Sequence, residues 1–335
     1  MCYNWDNISN SKNRNELSID EIDRITRHIK SVQQLTISGG EPFLRDELAE
    51  ICTLFNKNSK VQFITIPTNG LLTERIENIL THALEKNSSV HFRIGLSTPE
   101  IGIELDKIYE VINSFEKHKA TLNVLQRLKR KYRNISIDAG IVCNKYNLES
   151  VKRICDYVIN NMDNSNPIVA MVRGKPRIPD SKDVPVDELE QIYKYCKSSI
   201  PKINNRAYGD CINLMEDMVH QITVDTIRKR KMMVPCMCGR ELVVIYDNGD
   251  VYPCEILNDM LGNIRDCNYN IHRIMQLNSS RKIINKIRDT KCFCTWECAL
   301  NNNIIFSNKF MIELFYRYAL LKVKGIFNNR YTTPR

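Results

Sequence analysis

The chain has 335 residues, 43% of them hydrophobic and 26% charged, which allows one large core and a smaller one. Its formal net charge is +9, yet the basic residues are scattered without aromatic interleaving, so no nucleic-acid partner is expected. No apolar run approaches the roughly 20 residues of a membrane span and the first residues are polar, so a cytoplasmic protein without a transmembrane segment is expected.

Ser18-Ile19-Asp20-Glu21 reads as a capping box, and Ile19, Ile22, Ile25 and Ile29 follow at helical spacing. Residues 34–38 form a short apolar strand ended by Gly39-Gly40-Glu41-Pro42, and residues 45–55 read as a helix. The β-branched run 61–66 is a strand closed by Pro67-Thr68-Asn69-Gly70, followed by a helix over 73–84. Residues 90–96 are a strand leading into Ser97-Thr98-Pro99, and 114–132 a long amphipathic helix. A strand over 135–142 ends at Cys143-Asn144, a helix covers 148–161, a strand over 167–172 ends in Arg173-Gly174, and a helix covers 186–196. Strands alternating with helices are the mark of βαβ units and a parallel sheet, rolled into a full or partial barrel. In such sheets ligands bind beyond the carboxyl ends of the strands, where each of these turns falls.

After residue 200 the rhythm changes. Residues 207–232 read as helix, and 241–246 and 251–253 flank Asp247-Asn248-Gly249-Asp250 as a hairpin. A helix over 271–287 precedes Cys292. The expected organisation is a barrel core over 1–200, a helical linker over 201–232, a hairpin-plus-helix cysteine-rich domain over 233–305 and a basic amphipathic tail over 306–335. The tail's Phe310, Leu314, Phe315, Tyr318, Leu320 and Leu321 are expected to dock on the protein itself rather than on a membrane surface.

Of thirteen cysteines, six lie in one late block: Cys236-x-Cys238, Cys254 and Cys292-x-Cys294-x3-Cys298. Thiolates at such spacing suit an iron–sulfur cluster or a zinc ion, or are left unliganded; six exceed the four ligands of one cluster. Cys52, Cys143, Cys155, Cys196, Cys211 and Cys267 read as isolated buried small hydrophobes. Gly39-Gly40-Glu41-Pro42 is either a plain strand–helix turn or a set of backbone groups and a carboxylate that bind the amino group of an amino-acid-like ligand. Thr68-Asn69 is a polar turn or a hydrogen-bonding site for a ribose or carboxylate. Arg173 makes a salt bridge or binds a carboxylate.

These motifs together resemble the radical S-adenosyl-L-methionine (SAM) enzymes that carry a C-terminal SPASM or twitch extension, and the resemblance covers nearly the whole chain. Thr36 through Pro42 is similar to the segment that holds the SAM amino group, and Pro67-Thr68-Asn69-Gly70 to the third-strand motif. Cys236 through Gly249 to Cys254 resembles the SPASM hairpin, and Cys292 through Cys298 its closing segment, in a short twitch-like form. The resemblance makes Cys236, Cys254 and Cys298 the foremost auxiliary-cluster ligands, with Cys238 spare. Cys2 resembles the third cysteine of the motif that binds the SAM-ligating 4Fe-4S cluster. The other two, and the first strand, are expected ahead of Met1. Thr98 departs from the family, which often has Asp there and so leaves the contact near Ser97 open.

The resemblance implies an α/β fold: a partial (β/α)6 TIM-like barrel of parallel strands lacking its first strand, with a small cysteine-rich domain. It implies reductive cleavage of SAM to a 5′-deoxyadenosyl radical that takes hydrogen from a peptide or small-molecule substrate. Cys2, Gly39, Gly40, Glu41, Pro42, Thr68, Asn69, Ser97 and Arg173 would serve SAM and its cluster. An auxiliary iron–sulfur cluster would act in electron transfer or structure, and a flavodoxin or ferredoxin would donate electrons. The alternative readings are a non-catalytic, metal-binding homologue with zinc in the late cysteines and a thiol redox protein.

Overall fold

The computed structural model describes residue 5 and residues 15–163, 167–199 and 207–330; Cys2 lies outside them. Helix α1 (Ile19–Arg27) opens on the expected capping box: the Ser18 hydroxyl accepts from the Glu21 amide at 3.2 Å, and the Glu21 carboxylate accepts from the Ser18 amide at 2.9 Å. There follow β1 (Gln34–Thr36), α2 (Leu48–Ser59), β2 (Phe63–Thr68), α3 (Thr73–Lys86), β3 (His91–Ser97), α4 (Ile103–Tyr109), α5 (Ser114–Lys131), β4 (Ile135–Cys143), α6 (Leu148–Asn161), β5 (Pro167–Met171) and α7 (Val186–Ser199). Next come α8 (Ala207–Lys229), β6 (Val244–Ile245), β7 (Asp250–Tyr252), β8 (Gly262–Asn263), α9 (Ile271–Gln276), α10 (Asn278–Asp289), α11 (Glu297–Ile305) and α12 (Asn308–Arg330). The chain divides into two compact units. The first holds Met1–Pro201, Ile245–Val251 and Met260–Ser280; the second holds Lys202–Val244, Tyr252–Asp259 and Arg281–Arg335.

In the first unit β1 to β5 form one parallel sheet in sequential order, a curled half-barrel with helices between the strands. The strands alternate. Ile64, Ile66, Phe92, Ile94, Leu96, Ile137, Ala139 and Ile141 face the helices and are at most 1% exposed. Each large member contributes about 1.5–3 kcal/mol by leaving water. The other face carries Thr65, His91, Arg93, Ser97, Ser136 and Asp138, half-buried, and is polar. Arg265 closes the same unit. Its guanidinium grips Glu21 at 2.7 and 3.1 Å and donates to the carbonyls of Asn248 and Asn15, while Tyr269 also donates to Glu21.

Local chemistry explains where the elements depart from their predicted bounds. The helix expected from residue 45 starts at Leu48, because Pro42–Leu44 form a 3-10 turn whose first amide is capped by Glu41. The predicted helix over 271–287 is two helices, broken at Leu277, whose ψ is 140°. The strand expected over 241–246 shrinks to two residues, because Gly239 turns the chain back with its amide on the Leu242 carbonyl at 2.7 Å. Helix α4 was not anticipated; it begins after Gly102, whose φ is +66°.

In the second unit α8, α11 and α12 pack around Met218, Val219, Ile222, Leu300, Ile304 and Leu314. The tail helix docks on its own unit through Leu314, with Phe310 and Met311 beside it, whereas Phe315, Leu320 and Leu321, expected to dock, are exposed. Among the described residues no helix is long and apolar enough to cross a membrane.

Candidate functional site

The ends of β1 and β2 meet through one carboxylate. Glu41 accepts from the Thr68 hydroxyl at 2.9 Å, the Asn69 amide at 2.8 Å and the Phe43 amide at 3.3 Å. Burial pushes its carboxyl up, against the pull of those three donors. Pro42 and Phe43 are buried and anchor the turn, whereas Gly39 and Gly40 are exposed, so their backbone groups are accessible to a ligand. Gly39 sits at φ +150°, a value that L side chains rarely adopt. Beyond β2, Gly70 at φ +75° leaves no room for a side chain: a Cβ would stand 2.6 Å from Leu96 Cδ1. The Gly70 amide donates to Thr68 Oγ1 at 3.1 Å and Leu71 donates to Asn69 Oδ1 at 2.9 Å, which orients both motif side chains.

Ser97, half-buried, ends β3 on the polar face, and the Tyr109 hydroxyl donates to its carbonyl at 3.5 Å. Burial raises the Tyr109 phenol far above its ordinary value, and the Glu41 charge adds to the rise. Thr98 turns the other way. It is buried, bonds the Leu96 carbonyl at 3.2 Å and lies 3.3 Å from His118 Nε2, so it supports the loop from beneath. Cys143-Asn144 is likewise structural: Cys143 is buried on the helix side, and Asn144 accepts from the Tyr146 amide in a side-chain turn ahead of α6. Arg173 follows β5 and is half-buried.

Sequence reasoning missed the polar floor of the sheet. Arg93 and Asp138 form an ion pair between β3 and β4, and His91 contacts Ser136 at 3.0 Å. Parallel strands covered on both faces are apolar throughout, so His91, Arg93, Ser136 and Asp138 at alternate positions were a legible sign of an open face.

The late cysteines converge within the second unit. Cys236, Cys238, Cys254, Cys292 and Cys294 line one cavity of about 80 Å³, with apolar neighbours such as Ile256 and Leu257. Cys298 is exposed and is not in that lining. Cys238 donates toward both Cys236 and Cys254, which holds Cys236 down at about 6 and Cys254 at about 7 while driving Cys238 upward. The Leu257 amide also reaches Cys254 Sγ at 3.4 Å. Desolvation pushes Cys292 up to about 11 and Cys294 to about 12. Gly239 shapes this corner at φ +79°, where a Cβ would lie 3.0 Å from Ile284 and 3.3 Å from Pro253. Among the described residues no three His, Cys, Asp or Glu side chains gather about one metal-ion position. Five thiols on one cavity are the donor type that an iron–sulfur group takes. Two of the thiols expected to be isolated are not: Cys155 and Cys196, on α6 and α7, lie 2.7 Å apart.

Residues 1–158 match the family model of the Radical SAM superfamily. The matched residues contain the Glu41 turn, Thr68-Asn69, Ser97 and the Arg93–Asp138 pair. The fold is similar to native anSMEcpe with bound AdoMet, at 17% identity over 93% of this chain and 89% of that one, with a TM-score of 0.51. It is also similar to anSMEcpe with AdoMet and the Cp18Cys peptide, at 18% identity over 94% and 91%, TM-score 0.52. For anSMEcpe with AdoMet and the Kp18Cys peptide the figures are 16%, 93%, 91% and 0.51.

Proposed function

We propose that the chain is a radical SAM enzyme of the SPASM or twitch type that abstracts hydrogen from a peptide substrate. The observation that carries this reading is the Glu41 carboxylate joining the ends of β1 and β2 inside the residues that match the superfamily. An ionised carboxylate has about four lone-pair sites and Glu41 uses three, so one remains for an ammonium group. On this reading Glu41 and the exposed Gly39-Gly40 backbone hold the amino group of SAM, and Thr68 and Asn69 fix the turn that meets its ribose. Arg173 would face its carboxylate, and Ser97, at the carboxyl end of β3, would contact SAM or the substrate. Peptide is favoured over a small molecule because anSMEcpe, whose fold is similar, binds AdoMet together with a peptide.

The 4Fe-4S cluster to which Cys2 would contribute supplies, when bound, the single electron that cleaves SAM. Cys236, Cys238, Cys254, Cys292 and Cys294 would hold the auxiliary iron–sulfur cluster, in electron transfer or as a brace, with Cys298 at its margin. Apolar neighbours such as Ile256 and Leu257 would limit the access of water to it. A flavodoxin or ferredoxin would donate electrons.

The test is anaerobic reconstitution of protein carrying the two further cysteines that the resemblance places ahead of Cys2. Expected are charge-transfer absorption, iron with sulfide, and 5′-deoxyadenosine from SAM under strong reductant. Full iron loading with no cleavage of SAM would refute catalysis. Zinc in place of iron would transfer the reading to a metal-binding homologue.

A further inference from the structure

A second group of thiols gathers on the helix side of the sheet, within the first unit. Cys155 on α6 and Cys196 on α7 lie 2.7 Å apart, and Cys143, at the end of β4, is within electrostatic reach of Cys196. All three are buried, on faces where α6 also buries Val151 and Ile154 and α7 buries Leu189 and Ile192. Such a pair can be a redox catalyst, a metal site, a packing contact or a disulfide in waiting. A redox catalyst needs a thiolate, and here the Cys196 thiol and burial push the Cys155 thiol far up, while burial pushes Cys143 up to about 12. A metal needs more ligands, and among the described residues no three His, Cys, Asp or Glu side chains gather about one ion position. A packing contact gains little from a weak S–H donor. The two sulfurs have only about 0.7 Å to close before they reach the covalent distance of about 2.05 Å.

We propose that Cys155 and Cys196 form a disulfide that clamps α7 to α6 when the protein meets an oxidant of the small-molecule disulfide class. Both S–H bonds are lost and one S–S bond forms. The two electrons break the S–S bond of the oxidant and the two protons go to its sulfurs, giving two small thiols. Exchange begins at Cys196, which lies in the last turn of α7, where a helix opens most easily. The finished bridge carries no charge and leaves no S–H donor in the core. Cys155 is a poor leaving group because its thiolate is disfavoured, so the bridge resists small thiol reductants while the unit stays folded. The two residues are 41 positions apart, and the segment between them contains β5 and Arg173. The clamp therefore fixes both flanks of the strand that brings Arg173 to the carboxyl end of the sheet. This inference is independent of the chemistry at the Glu41 turn.

The test is incubation of the full-length, anaerobically purified protein with oxidised glutathione, followed by alkylation in denaturant and peptide mass mapping. Expected is a linked pair of peptides containing Cys155 and Cys196, lighter by two hydrogens than the sum of its parts. The melting temperature should rise by about 10 °C over protein kept in a phosphine reductant. Cys155→Ala and, separately, Cys196→Ala should each lose that rise, and Cys298→Ser, in the second unit, should keep it. The linkage is read in the wild-type chain, so a variant that folds poorly does not remove that readout. Recovery of both thiols in alkylated form would overturn the proposal. So would glutathione left on one of them, a link from either to Cys143 or a late cysteine, or a Cys155–Cys196 link that leaves the melting temperature unchanged.

Discussion

Glu41 joins two strand ends and keeps one acceptor site open, so its charge and its geometry can be separated by experiment. Glu41→Gln preserves shape and most hydrogen bonds but removes the charge. The variant is expected to bind SAM about tenfold or more weakly in equilibrium titration, with an unchanged melting temperature. Gly70 gives the opposite pattern. Gly70→Ala places a methyl group 2.6 Å from Leu96 at φ +75°, and should lower global stability by about 2 kcal/mol in urea melts; on the proposed reading it should leave iron loading of the late thiols unchanged. His118 lies under the same loop, and burial holds its imidazole down at about 4 against an ordinary 6.5. Its neutral form belongs to the folded state, so the stability it contributes is complete above pH 6.5 and is lost as pH falls toward 4. The loss is about 3 kcal/mol, read as the urea midpoint against pH, and a His118→Gln variant should flatten that slope.

At the scale of elements, the sheet was legible because its strands are short apolar runs closed by Gly, Pro or Asn. What escaped was local. Helix α4 hides behind Gly102, which reads as a turn, and the break at Leu277 has no Pro or Gly to announce it. The cysteine block was legible as a block, but spacing alone does not reveal which thiols face one cavity. The structure separates the cavity-lining Cys254 from Cys298, which is exposed. On the proposed reading Cys254→Ser should strip most iron from the auxiliary site, and Cys298→Ser should leave its iron content and absorption nearly unchanged. The polar floor of Arg93 and Asp138 was written in the alternation of β3 and β4, yet it is meaningful only once the sheet is known to have an open face.

At the scale of the molecule, one ion pair organises much of the first unit. Arg265 drives the Glu21 carboxyl down to about 2. The stability from this pair is present above pH 4.5 and is lost as pH falls toward 2, below the window of His118, so acid unfolding should proceed through two successive weakenings. Glu21→Gln should abolish the lower one and cost about 1.5–3 kcal/mol at neutral pH by chemical denaturation. The same contact has a bearing on synthesis. Its partners are separated by 244 positions, and the unit they close is discontinuous in sequence. A nascent chain emerging from the ribosome therefore cannot complete this unit until Arg265 and Tyr269 clear the exit tunnel, so an early-terminated product lacks the contact that holds Glu21.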